Sequence, residues 1–140
     1  MSRKGIVGKG FPVATQTRTR ILLAEDGVDH AMIIKALLTR EGFEVIWVQS
    51  GIEAFDRIER GESFSLLITD IQMPGMSGFE LLARLNDAKK MLPTIVLTGK
   101  QSEEDVLRSL KYGALDFISK PFSPAVVLAR IKIVLAGKVA

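Results

Sequence analysis

From Arg20 onward, short apolar runs alternate with stretches whose apolar residues recur every three or four positions. Ile21-Leu22-Leu23-Ala24 is a continuous apolar run, as a strand buried on both faces requires, and it stops at Glu25-Asp26. Ala31, Ile34, Leu37 and Leu38 then keep helical spacing up to a Glu41-Gly42 stop. Phe43 to Val48 reads as a second strand carrying the only tryptophan, Trp47. Ser50 with Glu53 forms a capping box for a helix that turns Ile52, Phe55 and Ile58 inward and closes at Gly61.

The third strand, Leu66-Leu67-Ile68, leads to Asp70, followed by a Pro74-Gly75 turn and a second capping box, Ser77 with Glu80. Its helix buries Phe79, Leu82 and Leu85. Pro93 to Thr98 is a fourth strand, with proline tolerated at its first position. Ser102 and Asp105 cap a helix carrying Val106 and Leu110, and Leu115 to Ser119 is a short fifth strand. After Lys120-Pro121 a last helix opens with Ser123 as cap and Pro124 at its first position, lined by Val127, Leu128, Ile131 and Leu135. Five strands alternating with five helices call for an α/β fold with a parallel sheet covered on both sides.

Length and composition fit one such domain, since 140 residues with 47% hydrophobic content suffice for a full core. Residues 1–19, rich in glycine and threonine and without apolar periodicity, read as a flexible basic leader to a domain over 20–138. Their glycines do not make a phosphate loop, because Phe11 stands where the lysine belongs and no strand precedes them. Much of the net charge of +3 sits in Arg3, Lys4, Lys9, Arg18 and Arg20. Without interleaved aromatics these read as a solvated tail, so no direct nucleic-acid binding is expected of the domain. No apolar stretch approaches the ~20 residues of a membrane span, and no signal peptide is recognisable, so a cytoplasmic location without membrane contact is expected. The absence of cysteine excludes disulfides and thiolate metal sites.

In a parallel sheet the polar strand ends Glu25, Asp26, Asp70, Thr98 and Lys120 all fall on one edge, where ligands of such sheets bind. Taken singly, Asp26 serves as a helix cap, Asp70 as a turn residue, Thr98 as a β-branched strand residue and Lys120 as a solvated charge. Together they point to a site. If strands one and three are neighbours, three carboxylates crowd together, each close pair repelling by about 4 kcal/mol at ~4 Å and an effective dielectric near 20. Either one stays protonated or a cation holds them, and Mg²⁺ suits oxygen ligands while still admitting a phosphoryl oxygen. His30, the sole histidine, has no metal-ligand companion and is expected at the surface, so the chain is not its own kinase. Met73 and Met76 read as loop filling.

The segments Leu22-Leu23-Ala24-Glu25-Asp26, Thr69 through Gly78, Val96-Leu97-Thr98-Gly99 and Ser119-Lys120-Pro121-Phe122 resemble the receiver domain of two-component response regulators, over about Arg20 to Gly137. The resemblance implies a flavodoxin-like, doubly wound (βα)5 fold with strand order 2-1-3-4-5. It implies that Asp70 is a phosphoacceptor served by a sensor histidine kinase or a histidine phosphotransfer protein. Mg²⁺ would be held by Asp26, Asp70 and the backbone carbonyl of Gln72, with Glu25 acting through water. Thr98 and Lys120 would bind phosphoryl oxygens, and Thr98 with Phe117 would switch an output face of helix four, strand five and helix five, to which Tyr112 adds a contact.

The same likeness implies a cis bond at Lys120-Pro121, and a role for Gln72, Gly99 and Lys100 in the lifetime of the phosphoryl group. Output would pass to a downstream effector protein or a covalently linked output domain, or through a phosphorylation-dependent homodimer. Such a domain is a phosphoacceptor that assists its own phosphorylation and dephosphorylation, and not otherwise an enzyme. The alternatives are a phosphorylation-independent interaction module of the same fold and an aspartyl-nucleophile hydrolase. The hydrolase would need a second aspartate two residues after the first, whereas Asp26 is followed by Gly27-Val28-Asp29.

Overall fold

The computed structural model describes residues 18–99 and 103–137. Within them β1 (Arg20–Ala24), β2 (Glu44–Val48), β3 (Leu66–Asp70), β4 (Thr94–Thr98) and β5 (Asp116–Ser119) alternate with α1 (Val28–Arg40), α2 (Gly51–Glu59), α3 (Gly78–Asp87), α4 (Glu103–Lys111) and α5 (Pro124–Leu135). The strands form one parallel sheet in the order β2-β1-β3-β4-β5. The expected order is therefore observed. Register pairs Ala24 with Val48 and Thr69, Asp70 with Leu97, and Thr98 with Ser119, so the carboxyl ends of the strands share one edge.

Alternation along each strand divides the core in two. Ile21, Leu23, Ile68, Ile95 and Leu97 face α1 and α5, meeting Ile34, Leu38, Val127 and Ile131. Leu22, Leu67 and Val96 face the other way, toward Ala54 and Ile58 of α2 and Leu81, Leu82 and Leu85 of α3. Each large aliphatic side chain so buried contributes roughly 1.5–3 kcal/mol. That outweighs capping, as α1 shows: its N-cap, Gly27, has no side-chain bond, and Ala31, Ile34, Leu37 and Leu38 alone set its rotation. The caps of α2 and α3 add about 1 kcal/mol each, through Ser50 Oγ accepting from Glu53 N–H and Ser77 Oγ from Glu80 N–H.

Several helix faces differ from the sequence reading. Ile52 is 54% exposed, because α2 turns Gly51, Ala54 and Ile58 inward and lays Ile52 over Gly75 instead. In α4 Leu110 is 47% exposed, while Ser109 is buried and satisfies its hydroxyl on the carbonyl of Asp105. Val134 joins Val127 and Ile131 in the core, and Leu128 and Leu135 are only half-buried. Ser123 occupies the N-cap of α5 without a side-chain bond. Phe43, Pro93 and Leu115 lie just outside their strands; the Pro93 carbonyl still accepts from Leu67 N–H at 2.9 Å. The expected cap at Ser102, the residue Lys100 and the leader up to residue 17 lie outside the described residues. No helix among the described residues is long and apolar enough to cross a membrane.

Candidate functional site

Each polar strand end is held by its backbone before its side chain acts. Glu25 extends β1 by donating its N–H to Val48 O at 3.0 Å, and its own carbonyl accepts from Trp47 Nε1 at 2.8 Å. Asp70 closes β3, and its Oδ1 accepts from Ile71 N–H at 2.6 Å and Gln72 N–H at 3.3 Å. Beyond it the loop folds back tightly: Gly78 N–H donates to Ile71 O at 2.7 Å, and a Cβ on Gly78 would collide with the Asp70 carbonyl oxygen. Only glycine permits that approach. Lys120 N–H donates to Thr98 O at 2.7 Å, and the Lys120-Pro121 bond is cis, as the resemblance implied.

The side chains then converge. Lys120 Nζ lies 2.7 Å from Asp70 Oδ2 and 2.8 Å from Glu25 Oε1. The Glu25 carboxylate is 1% exposed; Oε2 accepts from Gly27 N–H at 2.9 Å, while Oε1, although ion-paired, accepts no well-aligned hydrogen bond among the described residues. Burial pushes the Glu25 carboxyl up; its close contact with Lys120 and its bond to Gly27 pull the other way, the Asp70 charge adds to the rise, and the net direction is upward. Burial alone would lower Lys120, but its bond to Asp70 and its ion pair with Glu25 outweigh that and hold it above its usual value. Among the described residues one ammonium thus serves a site with three carboxylates.

Oxygen atoms of Glu25, Asp26 and Asp70 all lie within 4.8 Å of one another. Three hard oxygen donors this close together fit a small divalent cation such as Mg²⁺. They border an open cavity of about 710 Å³ that Thr98, Gln72 and Lys120 also line. Thr98 is buried and Gln72 exposed at the rim. Met76 is buried and Met73 half-buried, as loop filling requires.

The expected switch aromatic Phe117 and the expected output-face residue Tyr112 lie apart from this cavity. Phe117 is half-buried against the α2/α3 side of the core. Tyr112, just past α4, tilts against Phe79 with ring centroids 6.5 Å apart, while the Arg108 guanidinium covers the same Phe79 ring at 4.3 Å. Arg130 Nη1 donates to both carboxylate oxygens of Asp116 at 2.8 Å, an ion pair across β5 and α5 that sequence spacing does not reveal. The surface expectation for His30 is corrected: it is half-buried and lines the cavity, because the first turn of α1 opens toward the strand ends. Its place four residues after Asp26 was the only available signal.

The family profile of the response regulator receiver domain matches residues 21–132. Response regulator RppA of Synechocystis is 40% identical over 114 residues, covering 81% of this chain and 49% of that protein. The alkaline phosphatase synthesis transcriptional regulatory protein PhoP of Bacillus subtilis is 35% identical over 116 residues, covering 83% of this chain and 48% of that protein. The chain thus spans about half the length of the curated relatives it matches. A CheY-like receiver domain protein from Methanospirillum hungatei superposes with a TM-score of 0.81 at 34% identity, over 86% of this chain and 96% of that one. The receiver domain of a signal transduction histidine kinase from Syntrophus aciditrophicus gives 0.75 at 35% identity, over 85% and 91%. Strand order, fold and sequence likeness agree, and the chain belongs to the receiver domain family of two-component response regulators.

Proposed function

We propose that Asp70 accepts a phosphoryl group from a phosphohistidine of a sensor histidine kinase or histidine phosphotransfer protein. The observation that carries this is a strand-end carboxylate held on one oxygen by backbone N–H groups and on the other by the Lys120 ammonium at 2.7 Å. In the transfer a carboxylate oxygen of Asp70 bonds to phosphorus, the phosphorus–nitrogen bond breaks, and the departing imidazole keeps the electron pair and takes up a proton. Phosphoryl transfer asks for positioning and charge neutralisation more than covalent help. The fixed carboxylate provides the first, and Lys120 contributes to the second. Glu25, Asp26, Asp70 and the backbone carbonyl of Gln72 are the residues that would hold Mg²⁺, which when bound supplies further positive charge for phosphoryl oxygens. Incubation of the chain with a phosphorylated kinase, followed by intact-mass measurement, tests the assignment; no adduct with any donor would sink it. A phosphorylation-independent module of the same fold has no use for this arrangement and is not favoured.

Asp26 is exposed, makes no ion pair among the described residues, and has a carboxylate oxygen within 4.8 Å of those of Glu25 and Asp70. Asp26→Asn is expected to stabilise the metal-free protein by about 1 kcal/mol, the Coulomb cost being discounted for solvent screening. The same change should weaken Mg²⁺ binding. Titration can follow the emission of Trp47, whose indole bonds to the Glu25 carbonyl. Unchanged Mg²⁺ affinity would place the metal elsewhere.

The output reading rests on Thr98, buried at the end of β4 beside Lys120. A phosphoryl dianion on Asp70 would draw the Thr98 hydroxyl inward, and the rotamer of Phe117 would follow by packing. A charge-assisted hydrogen bond of about 1.5–3 kcal/mol shifts a two-state equilibrium by roughly 10- to 150-fold. Thr98→Ala should therefore keep phosphorylation but lose phosphate-dependent chemical-shift changes across α4 and β5, and with them dimerisation or effector binding. Full switching in that variant would route the coupling elsewhere. The downstream effector or linked output domain and the cytoplasmic setting belong to this same proposal.

A further inference from the structure

His30 stands on the first turn of α1 and lines the cavity that Asp70, Thr98 and Lys120 share. Two neighbours define its place. Its ring tilts against Phe122 at 5.9 Å and 53°, and Phe122 follows Lys120 by two residues, so the imidazole ties α1 to the segment that carries the site lysine. On its other side, a Cβ added to Gly27 would lie 3.4 Å from His30 Nδ1 and 3.0 Å from Glu25 Oε2, so imidazole and carboxylate reach over the same glycine. The Lys120 ammonium is already engaged by Asp70 and Glu25. Imidazole adds an N–H donor from a different element and, with two side-chain torsions, has little rotamer freedom to lose on contact.

We propose that His30 is a positioning residue for the phosphodonor, its imidazole N–H holding a phosphoryl oxygen of the donor at the cavity mouth while Asp70 is approached. This rests on Asp70 being the acceptor. The probe is acetyl phosphate at saturating Mg²⁺, with the Asp70 adduct of the full chain followed by intact mass as donor concentration is varied. His30→Ala should raise the half-saturating donor concentration about 10-fold, the low end of what a hydrogen bond to a charged oxygen is worth, because the cavity mouth is open to solvent, with the maximal rate and Mg²⁺ affinity little changed.

Two further variants separate donation from packing. His30→Gln keeps a donor and should recover much of the loss; His30→Phe keeps a ring against Phe122 and should not. The inference is overturned if His30→Phe matches the unsubstituted chain, if His30→Gln is as impaired as His30→Ala, or if all three are unaffected. Should His30→Ala fail to fold, the Gln and Phe pair decides alone. A chain that takes no phosphoryl group even without substitution overturns the Asp70 assignment and this inference together, whereas a normal adduct with unmoved variants removes only this one.

Discussion

Asp70→Asn is expected to abolish the phosphoryl adduct while leaving the fold intact. Asparagine matches aspartate in shape, and its amide oxygen can still accept from Ile71 N–H, so the tight return of the loop to Gly78 is undisturbed. What disappears is the carboxylate nucleophile and half of the Lys120 pairing. Removal of the Asp70 charge also relieves Glu25, whose raised pKa that charge supports. The variant should therefore unfold no more easily than a modest shift allows, yet show a mass unchanged by incubation with Mg²⁺ and a phosphodonor that modifies the unsubstituted chain. An adduct of equal yield would move the acceptor to another residue.

Lys120→Met should produce the largest loss of stability among the site variants. The methionine retains the stem, but two carboxylates, one 1% exposed and the other 10%, lose the only cation that the described residues place between them. Breaking a buried pair from one side costs about 3 kcal/mol or more. The pH dependence follows from the two raised values. The stabilisation from Lys120 is complete below its ordinary 10.5 and is lost as pH rises through its higher folded value, a loss the variant cannot show. Glu25 acts in the same sense on the acid side: its folded pKa is above 4.5, so its contribution is complete below 4.5 and falls as pH rises through the folded value.

Without Lys120 the Glu25 value climbs further, so the deficit of Lys120→Met should open as pH rises from 4.5 toward neutrality. Added Mg²⁺ should restore part of it by mass action. Urea unfolding across pH, with and without Mg²⁺, measures both effects. Equal midpoints for variant and unsubstituted chain at neutral pH would mean that solvent already screens the two carboxylates.

Much of this is legible in the sequence, for identifiable physical reasons. Strands buried on both faces need uninterrupted apolar runs, so Ile21 to Ala24 and Leu66 to Ile68 declare themselves. Parallel strands send their carboxyl ends to one edge, so Glu25, Asp26, Asp70, Thr98 and Lys120 could be grouped by position alone. Helix faces were less secure. Periodicity names two or three candidate faces, and α2 chose the one with Gly51 because the backbone of Met76 passes too close for any side chain, leaving Ile52 outside. In α4 it pointed to Leu110, although Ser109 is the residue buried.

By itself the sequence determined the class of fold, the succession of elements and the chemical kind of the site, because each depends on local hydrophobic period and on residues adjacent to strand ends. Only the tertiary structure decided which charges neutralise one another. Lys120 and Asp70 stand 50 residues apart, and the sheet brings Nζ between Asp70 and Glu25 instead of leaving it in water. His30 entered the cavity mouth for the same reason: the packing of α1 beside the β5–α5 segment set it against Phe122, a contact with no local signature. Distances between side chains from different elements arise from how the layers close on the core, and no periodicity along the chain encodes them.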